Sequence, residues 1–195
     1  MVRGKVNRGS DKKEKNELWE WGKALFVALA VAGLIRFFLF APVVVDGESM
    51  MPTLENEDRM LVNKIGYFIG EPERSDIVVF HATKDKDYIK RVIGVPGDYV
   101  AYENDQLYIN GEAQAEPYLS SLKEQYNLGS GTLTEDFTLA GLTELDKIPK
   151  GYVFVLGDNR RNSTDSRIIG LVPITNITGS TNYVFWPLNE MGFVE

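Results

Sequence analysis

Ser49 is the first residue of this 195-residue sequence whose surroundings suggest chemistry. Residues 46–54 read DGESMMPTL, so Ser49 lies between a glycine-containing turn and a proline-containing turn. A serine on a tight turn can present its hydroxyl to a cleft, and a purely structural turn or cap is the alternative. The chain contains no cysteine, which excludes thiolate nucleophiles, disulfides, cysteine-ligated zinc and iron–sulfur clusters.

A hydroxyl attacks only when a base takes its proton, and the candidates for that base are the sole histidine, a carboxylate or a lysine. Lys90 lies in DYIKRVIGVPGD, where Tyr88, Lys90 and Val92 would share one face of a strand. If that face is buried, desolvation lowers the pKa of the lysine from about 10.4 toward neutrality. The alternative is an edge-strand lysine that discourages aggregation. His81 is the single histidine, so a Ser–His–Asp arrangement would need His81, and a multi-histidine metal site is excluded.

A third polar cluster, GDNRRNSTDSR at residues 157–167, follows the apolar run YVFVL. Its glycine, asparagine, aspartate and serine residues predict a turn, and its acids and arginines predict that ion pairs hold that turn. Ser163 either belongs to this braced loop alone or orients a neutral amine.

The elements that must position these residues begin with a hydrophobic N-terminal segment. Residues 18–41 read LWEWGKALFVALAVAGLIRFFLFA, with no charge from residue 24 to residue 35. As a helix rising about 1.5 Å per residue, this segment would extend roughly 36 Å, more than a bilayer core of about 30 Å. We predict a transmembrane anchor, with a cleaved signal peptide or a buried soluble helix as the alternatives.

The distribution of charge orients this anchor. Residues 1–23 carry seven lysines and arginines against four acids, a net +3 in a chain of net −7. The positive-inside rule therefore predicts a cytoplasmic basic tail at residues 1–17 and an extracytoplasmic domain at residues 42–195. That domain is acidic and would repel phosphate backbones, so we expect no nucleic-acid partner.

The pattern after Pro42 is typical of β structure. QLYINGE predicts a hairpin around Asn110 and Gly111. Short apolar runs predict strands at residues 43–45, 76–80, 152–156 and 183–186, the last of these being the final strand. The polar stretch at residues 102–150 predicts a small inserted subdomain with a weak helical pattern at 119–126. Trp186 and Phe193 fit either a membrane interface or an ordinary core.

The order of these segments resembles that of the sequence boxes of type I signal peptidases. After the hydrophobic segment come SMMPTL, SDIVVF, KRVIGVPGD and the 157–167 cluster. The single anchor, the VVFHA wording and the compact size are similar to the enzymes of Gram-positive bacteria. The resemblance extends from the anchor to the end of the chain. It implies a mainly β fold, with a signal-peptidase-like or repressor-protease-like antiparallel catalytic core and an inserted subdomain.

The resemblance also implies roles for individual residues. Ser49 would be the nucleophile, Lys90 the general base and Ser163 the hydroxyl that positions the lysine. Structural ion pairs would join Asp158 to Arg91 and Asp165 to Arg167. The backbone N–H of Ser49 would bind the oxyanion, and because Gly47 stands where Gram-negative enzymes often have a serine, a Gly47 backbone group or a water would be the second donor.

The function implied is that of a membrane-anchored serine endopeptidase that removes signal peptides from secreted preproteins by Ser/Lys acyl-enzyme catalysis. Its partners would be preprotein signal peptides and the lipid bilayer, near the translocation channel, and no cofactor or metal would be needed. The substrate would add as a strand to candidate residues Val43, Val44, Val45, Asp46, Asp87, Tyr88 and Ile89.

Two rival functions remain. A self-cleaving repressor-type protease would carry a DNA-binding helix-turn-helix module, for which the N-terminal segment is too short. A catalytically silent, membrane-tethered relative would have lost the nucleophile or the base, whereas Ser49 and Lys90 are both present.

Overall fold

The computed structural model describes residues 10–64, 70–128 and 131–194. The chain divides into two compact units between Phe40 and Ala41. In the first unit, helix α1 covers Ser10–Leu39, so it begins within the segment expected to be a tail. Its described side chains at residues 19–33 are all exposed, including Trp19, Trp21 and Phe26. Within the described part of the chain, no helix has both the length and the apolar character needed to cross a membrane.

The second unit is built on antiparallel β structure, as predicted. Its larger sheet is formed by Phe40–Val44 (β1), Arg59–Asn63 (β2), Ile77–His81 (β3), Asp87–Gly94 (β4), Tyr152–Leu156 (β9), Val172–Pro173 (β10), Ile177–Ser180 (β11), Tyr183–Trp186 (β12) and Gly192–Phe193 (β13). The strand order among the described residues is β10-β9-β4-β3-β11-β2-β12-β13, and β1 pairs with β2. The β-branched and aromatic residues of the predicted runs favour these pleated, half-buried positions.

The expectation that residues 183–186 form the last strand is wrong. The chain reverses after β12, and β13 pairs with it through Tyr183↔Phe193 and Val184↔Gly192. A strand of two residues has no hydrophobic period, so the sequence pattern did not predict it. Trp186 and Phe193 are 47% and 77% exposed, which excludes the ordinary core as their environment within this unit.

A second sheet is formed by Val100–Glu103 (β5), Gln106–Ile109 (β6), Glu112–Gln114 (β7) and Phe137–Thr138 (β8), in the order β7-β6-β5-β8, so it begins two residues before the stretch expected to be inserted. The predicted hairpin turn is present, with positive φ angles of 54° at Asn110 and 83° at Gly111. A 3₁₀ turn at Pro117–Leu119 leads into helix α2, Ser120–Leu128. The remaining short helices are α3 (Leu139–Thr143), α4 (Ser166–Ile169) and a 3₁₀ turn at Ile174–Asn176.

An aromatic stack packs the second sheet against the first. Phe137 of β8 lies between Tyr102 of β5 and Phe154 of β9, with ring centroids 5.8 Å and 5.7 Å apart. Leu156 and Ile93 of the larger sheet join the same buried cluster. The two sheets therefore share one core.

Strand β4 lies between β3 and β9 and carries the candidate base. Lys90 pairs with Val78 of β3, and Arg91 pairs with Leu156 of β9. From Lys90 to Gly94 every residue of β4 is buried, because both faces of the strand are covered. The burial of Lys90 follows from this central position, which excludes the alternative of an edge-strand lysine.

Replacing Phe154 with alanine should test the shared core. Phe154 is fully buried, so Phe154→Ala removes a core ring and should lower the free energy of unfolding by about 3–5 kcal/mol. The control Phe193→Ala, at a 77% exposed ring, should cost less than about 1 kcal/mol. Urea unfolding of both variants would measure the difference, and equal losses would contradict a core at Phe154.

Candidate active site

Ser49 lies in the turn after β1, and its buried neighbours fix that turn. Met50 and Leu54 are 1% and 0% exposed and pack in a cluster with Val45. The Leu54 N–H donates to the Met50 carbonyl at 3.0 Å. The apolar residues that flank Ser49 in the sequence thus anchor the turn in the core, while Ser49 itself lines a cavity.

Lys90 reaches Ser49 from the neighbouring strand. Its Nζ donates hydrogen bonds to Ser49 Oγ at 2.7 Å and to the Ile89 carbonyl at 2.8 Å. The Lys90 residue is 3% exposed, and its Nζ lies 5.3 Å from the centroid of the Tyr88 ring. Burial lowers the pKa of Lys90 to about 8, against the opposing effect of the Asp165 and Asp158 carboxylates.

Another candidate base, His81, has a largely exposed side chain at the end of β3, where its Nδ1 contacts Asp87.

The 157–167 segment forms the loop that closes the site. Ser163 lines the same cavity as Ser49 and Lys90. Its buried Oγ makes no hydrogen bond within the described structure, so the implied contact with the lysine is not formed here. Gly157 lies against both serines, because a Cβ at this position would overlap Ser163 Oγ and lie 2.5 Å from the Ser49 carbonyl oxygen.

Both ion pairs implied by the resemblance are present. The Arg91 guanidinium donates to Asp158 through Nε at 3.0 Å and Nη2 at 2.7 Å, with both residues buried. Arg167 donates to Asp165 through Nε at 2.8 Å and Nη2 at 2.7 Å. Asp165 also accepts the Gly157 N–H at 3.0 Å, which ties the start of the loop to its end.

Asn159 is a site residue that the sequence reasoning missed. Its backbone N–H donates to the Ser49 carbonyl and its Nδ2 to the Glu48 carbonyl, each at 3.1 Å. These bonds fasten the loop to the turn that carries Ser49. An asparagine in a turn-rich segment has the same sequence pattern whether it forms a local or a distant bond, so no sequence signal distinguished it.

The cavity beside Ser49 has a volume of about 520 Å³. All seven predicted substrate-binding residues line it, from the 43–46 segment and from β4. It is also lined by residues that the sequence analysis did not identify as substrate-binding: Gly47, Glu48, Met50, Val79, Arg161, Asn162 and Thr164. The Gly47 N–H, one of the candidate second oxyanion donors, donates to Asn56 Oδ1 at 2.8 Å.

A serine hydroxyl hydrogen-bonded to a buried amine beside a cavity is a pairing of nucleophile and base that some serine hydrolases use. The family model described as signal peptidase, peptidase S26, matches residues 18–186. The chain therefore belongs to the signal peptidase family S26, and it is a serine hydrolase of the signal peptidase I type.

Individual relatives agree with this assignment. Signal peptidase I of Bacillus caldolyticus is 48% identical over 93% of this chain and 97% of its own. Signal peptidase IB of Staphylococcus aureus (strain MRSA252) is 45% identical over 92% of this chain and 95% of its own. A crystal structure of a signal peptidase I from Enterococcus faecalis V583 matches with a TM-score of 0.54 at 40% identity, over 57% of this chain and 97% of that one.

Replacing Lys90 with methionine should stabilise the protein in a pH-dependent way. The folded pKa is lowered from 10.5 to about 8, so below pH 8 the buried ammonium costs about 3 kcal/mol. Between pH 8 and 10.5 the unfolded state holds more protons than the folded state, so wild-type stability rises with pH and the advantage of Lys90→Met shrinks.

Unfolding of both proteins at pH 7 and pH 10 would measure this difference. The exposed Lys86→Met is the matched control and should show no such pH-dependent gain. A Lys90→Met protein that is less stable than wild type at pH 7 would contradict the desolvation of the amine.

Proposed function

We propose that this signal peptidase cleaves preproteins by Ser/Lys acyl-enzyme catalysis, with Ser49 as nucleophile and Lys90 as general base. The observation that carries the proposal is the 2.7 Å contact between Lys90 Nζ and Ser49 Oγ at a residue that is 3% exposed. With a pKa of about 8, roughly a tenth of the amine is neutral at pH 7. That fraction is sufficient for a general base near its operating pH.

Acylation begins when neutral Lys90 takes the Ser49 proton. Ser49 Oγ then forms a bond to the carbonyl carbon of the last residue of the signal sequence. The tetrahedral intermediate collapses as the C–N bond breaks and the Lys90 ammonium returns the proton to the leaving amine. The mature protein leaves with a free N-terminus, and the signal peptide remains as an ester on Ser49.

Deacylation uses the same base. Neutral Lys90 takes a proton from a water that attacks the ester carbonyl, and the proton passes to Ser49 Oγ as the C–O bond breaks. The products are the signal-peptide carboxylate and the free enzyme. The proposed chemistry needs no metal or cofactor.

The hydrogen-bond acceptors around Lys90 support an amine whose lone pair points toward Ser49. A neutral amine that accepts the Ser49 proton has two N–H groups left to donate. The Ile89 carbonyl lies 2.8 Å from Nζ and accepts one of them, and we infer that Ser163 Oγ accepts the other when the amine turns to receive the proton. The Ser49 N–H is the proposed oxyanion donor.

The cavity supports binding of an extended peptide. The segment at residues 43–46 and the β4 residues Asp87, Tyr88 and Ile89 all line it. A peptide that adds as a strand between them would be held by backbone hydrogen bonds and would place alternate side chains in shallow apolar pockets. Such pockets would favour small residues at the first and third positions before the cut.

We further propose that residues 18–41 anchor the enzyme in the membrane, with residues 1–17 cytoplasmic and the catalytic domain outside, near the translocation channel. The N-terminal excess of lysine and arginine supports this orientation. The exposed apolar side chains along α1, such as Leu25, Phe26 and Leu29, support a lipid environment for it. Ser49 is eight residues from position 41, a reach of at most about 28 Å.

The dyad assignment predicts which variants lose cleavage. Ser49→Ala and Lys90→Ala should each cut a labelled preprotein at less than about a thousandth of the wild-type rate, because nucleophile and base act as one unit. Ser163→Ala should lose about tenfold or more while retaining the nucleophile. His81→Ala is the control and should retain wild-type activity. Activity retained by Lys90→Ala and lost by His81→Ala would assign the base to the histidine.

Removal of the proposed anchor should slow cleavage of membrane-bound preprotein without abolishing the cleavage reaction itself. A chain that begins at Ala41, the first residue of the second unit, should still cleave a short soluble peptide. Its rate on a preprotein in vesicles should fall at least about tenfold, because the anchor raises the local concentration of the site. Equal rates of the truncated and full chains on vesicle-bound preprotein would sink the proposed role of residues 18–41.

A further inference from the structure

Two residues of the inserted stretch contact arginines beside the proposed catalytic groups. The Glu116 carboxylate accepts a hydrogen bond from Arg160 Nη2 at 2.6 Å. The Tyr118 ring lies against Arg91, with the guanidinium carbon 3.8 Å from the ring centroid. The Tyr118 hydroxyl donates to Glu116 Oε1 at 3.2 Å, which joins the two contacts into one cluster.

The Glu116 carboxylate is buried and carries a full set of partners. The side chains of Glu116 and Arg160 are 1% and 0% exposed. Tyr102 donates to the carboxylate at 2.6 Å and Lys123 at 3.2 Å. Burial alone would raise the pKa of Glu116, but Arg160 and the Tyr102 hydrogen bond outweigh it, so this pKa lies below its ordinary value. A buried ion pair often stabilises a fold no better than apolar side chains of similar volume. Its hydrogen bonds, however, fix the orientation of the two groups relative to each other.

Arg160 connects Glu116 to the backbone of the 157–167 segment. Its Nε donates to the Gly157 carbonyl at 3.1 Å, within the buried interior. Gly157 lies so close to Ser163 and to the Ser49 carbonyl that no Cβ fits there. The position of the Gly157 backbone therefore limits how both serines approach Lys90.

We propose that Glu116 is a positioning residue for the cleavage reaction, which acts through Arg160 and Gly157 to hold Ser49 and Ser163 against Lys90. The inference rests on the Ser/Lys mechanism proposed above. Tyr118 braces Arg91, the neighbour of Lys90 on β4, from the other side of the same cluster.

Loss of the Glu116 charge should loosen the loop without emptying the substrate cavity. Arg160 would lose its strongest acceptor, the Gly157 carbonyl would shift, and water would reach Lys90. The Asp165 and Asp158 carboxylates act to raise the pKa of Lys90, and both keep their arginine partners in a Glu116 variant. The amine would therefore titrate at higher pH because it is rehydrated, while the peptide-binding residues of β4 stay in place.

The test compares Glu116→Gln with wild type as full chains in detergent, using a peptide substrate across pH 6–10. We expect kcat at pH 7 to fall about tenfold or more, with KM changed by less than about twofold. The apparent pKa of kcat should rise by about half a unit or more. A merely structural loss of folded enzyme would lower the amount of active protein and leave the pKa and KM unchanged.

Two further comparisons test whether the effect is specific to Glu116 and depends on Arg160. Asp98→Asn breaks another buried carboxylate's ion pair, with Arg74 at 2.6 Å, and should leave kcat, KM and the pH profile unchanged in the folded protein. In an Arg160→Met background, the added Glu116→Gln change should cause no more than about a twofold further loss of kcat, because residues that act through one another are not additive.

The inference fails if folded Glu116→Gln keeps the wild-type kcat and pH profile. Should that variant not fold, Arg160→Lys retains a cation for Glu116 but lacks the guanidinium Nε that bonds Gly157. It should show the same loss and shift, and a wild-type profile for it overturns the inference. Lys90→Ala in the same assay distinguishes the two proposals: if it retains cleavage, the Ser/Lys mechanism fails, whereas an inactive Lys90→Ala beside an unaffected Glu116→Gln refutes the role of Glu116 alone.

Discussion

The proposed role of Lys90 as a base near neutral pH requires a lowered pKa, which in this protein comes from burial of the amine. Strand β4 lies in the interior of the larger sheet, so both of its faces are covered from Lys90 onward. The turn that carries Ser49 is fastened by Met50 and Leu54 in the core. The Ser49 hydroxyl therefore contacts an amine whose residue is only 3% exposed.

Two carboxylates near Lys90 raise its pKa and so oppose the effect of burial. Their arginine partners limit this rise. Asp158 and Asp165 both favour the charged form of the lysine. Arg91 donates to Asp158 and Arg167 donates to Asp165, each through its Nε and its Nη2. An unpaired buried carboxylate at the same place would strengthen the field that keeps the amine protonated. The paired acids can instead direct the loop through hydrogen bonds such as that from the Gly157 N–H while adding little net charge.

The sequence predicted those parts of the molecule that depend on local pattern or on the order of motifs. The apolar runs at β3, β9 and β12 and the turn at Asn110 and Gly111 carry enough periodicity or turn chemistry to be predicted. Strand β13 was missed because two residues have no period. The motif order suggested Ser49 and Lys90 together, although they are 41 residues apart in the chain, and the structure has them in contact.

The contacts that the sequence did not predict are those whose partners are distant and whose residue types are ordinary. Asn159 bonds to Ser49 and Glu48, with its amide reaching 111 residues back along the chain. Glu116 is one of many acids in a polar stretch, and its partner Arg160 follows 44 residues later. The unbonded Oγ of Ser163 also depends on side-chain positions that no motif specifies.

The inserted stretch contacts the rest of the second unit in two ways, through an aromatic stack and through a buried ion pair. The Tyr102, Phe137 and Phe154 stack buries apolar surface, which holds the two sheets together but tolerates small shifts between them. The Glu116–Arg160 pair has a short, charge-assisted hydrogen bond at 2.6 Å, so a shift between the two groups weakens it more steeply than it weakens apolar packing. Apolar packing of similar volume would often stabilise the fold equally well. A buried ion pair at this place is therefore best explained by the need to fix the loop at Gly157, where the tolerance for movement is smallest.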